Sequence, residues 1–449
     1  MITARNVATW ALVDERWGTG LMQDGISLKK RAPAPPPDQT WRLRHLLLAP
    51  HRLGFALAMA VLASASLWWA LVQVDRFLWP LGLHWAASPT VLHAAVMTFG
   101  FMPLFFTGFL FTAGPRWLGV QPMEAVQLRT PLLLQAIGWF FWLAGGYLAA
   151  GVSAAGLLMA LAGLGWLVTL FWQLVRASQA EDRLHARIIG AAGVVGCLSL
   201  AGTLVSVLLD ATDLARTFVR TGLWGFVVVT FITVAHRMIP FFTSSAVPMV
   251  SVWRPFWVLW VLLAATVLQV LAAWVDLTGL RGNAAWLLVL GLLELAAGGV
   301  VVWLAVAWGL VQSLKIRLLA MLNIGFVWLG IAYLLSGVSH LSALPSGQPL
   351  LGLAPLHALS MGCLGSLMVA MVTRVSCGHS GRALVADNWV WALLWTLQLT
   401  TGLRIAGAVD GMSGWLILLA ALLWAAVMTA WALRYGAWFG RLRVDGKPG

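Results

Sequence analysis

The stretch AAWLLVLGLLELAAGGVVVWLAVAWGLV (284–311) carries a single ionisable residue, Glu294, in a run longer than the roughly 20 apolar residues that cross a bilayer core. It is continuously apolar rather than alternating, so it reads as a helix and not as a barrel strand. Runs of the same kind recur at 52–74, 90–113, 131–150, 153–175, 186–209, 218–240, 255–275, 318–340, 353–375, 387–408 and 413–435. The pattern predicts an all-α fold: a polytopic integral membrane helix bundle with about twelve transmembrane helices.

Composition agrees. The chain is 61% hydrophobic and 10% charged, and its mean hydropathy is +0.88. A soluble domain is about one quarter charged, so a soluble enzyme, a disordered chain and a disulfide scaffold are excluded. Cys197, Cys363 and Cys377 show no paired spacing, which predicts neither a disulfide nor a thiolate metal site.

The net charge of +13 raises the question of nucleic acid, but its distribution answers it. Alternate loops hold Arg116 and Arg129; Arg176, Arg183 and Arg187; Arg237 and Arg254; Lys315 and Arg317; Arg374 and Arg382. The opposite loops are poorer, with one mixed loop of Asp210, Asp213, Arg216 and Arg220. This bias predicts both termini in the cytoplasm and leaves nucleic acid without a role. Residues 1–44, with Lys29, Lys30 and Arg31 before Pro33, Pro35, Pro36 and Pro37, read as a flexible cytoplasmic tail. Residues 45–440 form the membrane domain and 441–449 a short basic cytoplasmic tail. Of the Trp residues, Trp117, Trp253 and Trp286 fall near helix ends, as an interfacial belt requires, and Trp139, Trp142 and Trp166 fall inside spans.

Chemistry is sparse. Glu294 is the one clear intramembrane acid, a functional candidate by default. Histidine is grouped by depth. His84, His93, His340 and His357 belong to the outer side, and His51, His236 and His379 to the inner side. Imidazole ligates both haem iron and copper. A single interfacial His is ordinary; two on neighbouring helices at one depth can hold a haem from both faces. His357 and Met361 share a helix face, and a Met thioether is a candidate soft ligand. Arg404, near the outer end of the eleventh helix, suits a haem propionate.

Three stretches carry more than lipid-facing residues: HAAVMTFGFMPLFFTGFLFTAGPRW (93–117), AHRMIPFFTSSAVP (235–248) and HALSMGCLGSLMVAMVTRVSCGHSGRAL (357–384). In the first, Gly100, Gly108 and Gly114 allow close helix approach and Pro103 kinks the chain. In the second, Pro240 ends or kinks a helix.

These stretches resemble the NnrS family of haem- and copper-containing membrane proteins linked to nitric oxide stress. GFLFTAGPRW resembles the family's G-F-L-x-T-A-x-P-x-W, and HRMIPFFT resembles H-R-x-I-P-F-F-T. The third stretch resembles H-A-L-x-x-G-x-x-G-x-x-x-x-A-M-x-T-R-x-x-x-G-H-x-G-R, and APHRLGF (49–55) fits the entry to the family's first helix. The resemblance implies a b-type haem, copper, nitric oxide or a related small molecule as ligand, and residence in a bacterial inner membrane. It carries over to His93, His236, Arg237, His357, Arg374 and His379. His93 and His357 become the axial haem ligands, and His236 and His379, with His51, an inner-side metal or polar site. The family's W-H-x-H-E-M pattern is missing here: LHAAVM keeps His93 but has Ala95 and Val96 where a second His and a Glu would fall, which puts copper in question. His340 is not a motif position. Two alternatives stay open: a proton-coupled secondary transporter using Glu294, and a haem–copper oxidase or NO reductase-like subunit. The seventh helix, however, has no His for the copper of such a subunit.

Overall fold

The computed structural model describes residues 39–247, 251–345, 347–409 and 411–446. Most of the tail expected over 1–44, including its Lys and Pro residues, lies outside the described residues, as do Pro248 and Lys447. Among the described residues the regular structure is entirely helical.

The long helices are α1 (Pro50–Phe77), α2 (Pro89–Leu118), α3 (Ala125–Leu148), α4 (Ala150–Ala177), α5 (Leu184–Leu208), α6 (Thr212–Ala246), α7 (Phe256–Val275), α8 (Ala284–Ala307), α9 (Arg317–Ser342), α10 (Ala354–His379), α11 (Asn388–Ala406) and α12 (Gly414–Phe439). Eleven are long and apolar enough to cross a membrane. The exception is α11, in which Trp, Thr, Gln398 and Arg404 dilute the aliphatic residues. The chain is a multi-pass membrane protein.

The sequence spans and the helices agree closely, with one informative difference. Asp213, Arg216 and Arg220, expected in a loop, lie on the first turns of α6. Asp213 there sits at the positive helix end and pairs with Arg216 one turn on (3.3 Å), while Arg220 reaches Asp276 at the end of α7 (2.7 Å). Local ion pairing lets the helix continue into the polar interface. Pro240 likewise does not end α6, which runs on to Ala246; the missing N–H only frees one carbonyl a turn earlier.

Both ends of the described chain meet. The Arg42 amide donates to the Gly440 carbonyl (2.8 Å), His45 Nδ1 lies 2.8 Å from the same oxygen, and Arg52 donates to the carbonyls of Phe439 and Arg441. We call this end of the bundle face A and the opposite end face B. An even number of crossings, α1 to α12, brings the chain back to face A. On that face Asp387 caps α11 through the Val390 amide and pairs with Arg434 of α12. That guanidinium holds the Asp387 carboxyl below its usual range.

Small residues set the closest approaches. A Cβ on Gly54 of α1 would lie 2.8 Å from Gly108 Cα of α2, and one on Gly138 of α3 would lie 2.5 Å from the Gly156 carbonyl of α4. Only glycine permits these contacts, which replace the hydrophobic drive that lipid removes. The motif-bearing helices form the centre. The apolar window of α2 is 78% buried and that of α10 72%, against 39% for α4, α7 and α8 at the rim.

Three central helices share a departure from α geometry. Val96–Gly100 in α2, Leu223–Val228 in α6 and Ala358–Gly365 in α10 are π-helical. Two of these stretches begin just after His93 and His357. A π turn widens the helix by one residue and frequently marks a functional site. Rings pack closely near two of the stretches: the space a Cβ on Gly362 would take is filled by Trp328, and that of Gly222, just before the α6 stretch, by Phe99.

Candidate functional site

Near face B, His93 of α2, His357 of α10 and Arg404 of α11 come within electrostatic range of one another. The His93 ring stacks on Trp69 of α1, with centroids 3.8 Å apart and planes 14° apart. Stacking orients the ring but leaves its in-plane nitrogens free, and among the described residues Nδ1 is buried with no hydrogen-bond partner. His357 Nδ1 lies 2.9 Å from the Leu353 carbonyl. A carbonyl only accepts, so Nδ1 carries the proton and Nε2 holds the lone pair. Tying one ring nitrogen to a carbonyl is the usual way a ligating His is oriented. Arg404 Nη1 is also buried without a partner. Three helices therefore bring two lone-pair imidazoles and a guanidinium whose Nη1 has no hydrogen-bond partner among the described residues to one place, a set that fits an iron porphyrin with its carboxylates. Met361, one turn beyond His357, is buried in the π stretch.

Near face A, the sequence grouped His51, His236 and His379. The structure pairs them differently. His51 and His379 face each other with ring centroids 4.4 Å apart. Arg52, Arg116 and Arg443 act electrostatically on His379, a surrounding that disfavours a metal cation. His236 instead pairs with His185, a residue sequence reasoning passed over; His236 Nδ1 lies 3.1 Å from His185 Nε2. His236 Nε2 donates to the Pro255 carbonyl (3.2 Å), so Nδ1 accepts from His185, and both His236 nitrogens are engaged. That leaves His185 Nδ1 buried and unpartnered, 4.0 Å from Asp182. His185 begins α5 at the depth of His236, which was the available signal. Among the described residues no group of three His, Cys, Asp or Glu is placed to hold a metal ion.

The motif arginines Arg237 and Arg374 lie toward face A. Arg237 stands over Trp117 at 5.1 Å and lies 3.7 Å from Asp182. Arg374 stands over Phe242 at 4.1 Å. Cation–π contacts of this kind gain strength where water is scarce. Stretches far apart in sequence, GPRW, HRMIPFF and VTR, thus lock α2, α6 and α10 together at one end.

Glu294 is fully buried in α8. Its Oε1 accepts from Gln269 Nε2 (2.6 Å) and Ser336 Oγ (2.8 Å), and its Oε2 lies 2.6 Å from His340 Nδ1. His340, which belongs to no motif, is therefore an immediate partner of the one buried acid among the described residues.

No curated protein and no solved structure matches the chain. The family described as NnrS protein matches residues 45–443, which hold every helix and all the motif residues above. The chain belongs to the NnrS family.

Proposed function

We propose that this protein binds a b-type haem in a bacterial cytoplasmic membrane and contributes to tolerance of nitric oxide or nitrosative stress. One observation supports the reading most: His93, His357 and Arg404 meet from three helices with a buried imidazole nitrogen and a guanidinium nitrogen that have no hydrogen-bond partner among the described residues. An unsatisfied buried polar group costs roughly 1–3 kcal/mol, a cost that a ligand bound among these residues would offset. His93 and His357 would hold the iron and Arg404 the propionates. Haem bound there would supply an iron that passes single electrons, and that would take a diatomic ligand once one of the two imidazoles is displaced. The chain's own contribution is positional. Trp69 fixes the plane of His93, the Leu353 carbonyl fixes the His357 tautomer, and Arg404 balances negative charge in a low-dielectric setting. Copper enters only through the family, because the face-A imidazoles lie in pairs among arginines.

The reading predicts a growth phenotype. Cells lacking the chain should grow more slowly than wild type under a nitric oxide donor. The full chain should restore growth, and an equally abundant His93→Ala chain should not. Restoration by His93→Ala would remove haem ligation from the function.

A further inference from the structure

A cavity of about 290 Å³ enters the bundle from face B among α6, α7, α8 and α9. Its wall includes Arg220, Gln269, Asp276, Tyr333, Ser336 and His340. Glu294 lies just beyond, fully buried, while the His340 side chain keeps 25% of its surface accessible. Three cavity-lining side chains, Gln269, Ser336 and His340, thus separate Glu294 from the cavity, and of these His340 is the one that titrates near neutral pH.

We propose that Glu294 and His340 form a proton-exchange site, in which His340 carries protons between the buried carboxyl and water in the face-B cavity. It does not rest on the haem reading. In the unloaded state Nδ1–H of His340 donates to the Glu294 carboxylate and Nε2 bears a lone pair. On loading, a hydronium ion in the cavity gives a proton to Nε2, and Nδ1 passes its own proton to Oε2. The imidazole stays neutral as the opposite tautomer, the carboxyl becomes neutral, and one proton has entered. Unloading is the reverse.

The surroundings suit both states. Gln269 and Ser336 donate to Oε1 and stabilise the carboxylate. An isolated carboxylate this deep would be costly, which favours uptake. The charged and titratable groups facing the pair are few. Asp276 acts on His340 but is tied to Arg220, and Arg281 lies on the cavity wall. Tyr333 faces Glu294 and, with Cys363 of α10, stays a neutral buried group. The Tyr333 hydroxyl is the second sign of an occupant: its residue is 1% exposed, it lines the cavity, and no protein group among the described residues bonds its oxygen. Water in the cavity satisfies it and supplies the proton.

Infrared difference spectra of the full chain in nanodiscs test this. A protonated carboxyl band should be present in wild type, absent in Glu294→Gln, and should shift promptly on transfer to D₂O. In His340→Ala the exchange should slow about 100-fold, the low end of what a positioned proton-transfer group contributes. Free imidazole, small enough for the cavity, should restore it. Ser339→Leu, which narrows the cavity and leaves both partners in place, should also slow exchange and covers the case in which His340→Ala does not fold. Prompt exchange in either variant, no rescue by imidazole in a folded His340→Ala protein, or no protonated band in wild type would overturn the proposal.

Discussion

His93→Ala and His357→Ala should each purify with little or no haem, while His84→Ala should retain whatever haem the wild type binds. A hydrogen-bond partner of a ligating His is worth about 10- to 100-fold in metal affinity, and loss of the ligand itself exceeds that, so iron per chain in either variant should fall at least about 10-fold. His84 shares face B and the sequence neighbourhood, but its Nδ1 contacts Gly82 within its own exposed loop. It is the control for a general effect of removing an imidazole. Iron analysis and the Soret band, read on the same monodisperse sample, check the outcome. Full haem occupancy in both His93→Ala and His357→Ala would end the assignment of the axial ligands.

Trp142→Ala should lower stability by about 3 kcal/mol. Trp142 is fully buried in α3, and its indole N–H donates to the Leu92 carbonyl (3.0 Å), immediately before His93. Truncating a large buried aromatic costs roughly 3–5 kcal/mol in soluble proteins. The lower end applies here because lipid competes equally for apolar surface, so the loss is one of packing and of one hydrogen bond. Trp142→Phe keeps most of the packing and should lose about 1 kcal/mol, the worth of the hydrogen bond. Reversible unfolding in mild detergent would measure both. Equal stability of Trp142→Ala and wild type would show that the α3 contact does not hold the start of α2 in place.

Much of the fold was legible because a bilayer leaves few options. Apolar runs of spanning length must be helices, and their limits came within a few residues of the observed ends. Charge placed on α6 escaped because the helix extends by Asp213–Arg216 and Arg220–Asp276 pairing, which an apolar run does not reveal. The site was half legible. Depth along the helices placed His93, His357 and Arg404 near one face, and in the structure the three come within electrostatic range of one another. Depth alone does not say which helices touch, so His236 was grouped with His51 and not with His185. The pairing of Glu294 with His340 was hidden for the same reason: the two residues lie on consecutive helices, but nothing in either run reports their register. The π-helical stretches were invisible, because nothing in an apolar run reports where a helix takes in one extra residue.

The most direct test of the central claim is a reduced-minus-oxidised visible spectrum of the purified wild-type chain, with iron determined on the same sample. The account predicts a b-type spectrum with iron stoichiometric with the chain. Protein produced with ample haem supply that shows neither the spectrum nor iron would contradict it.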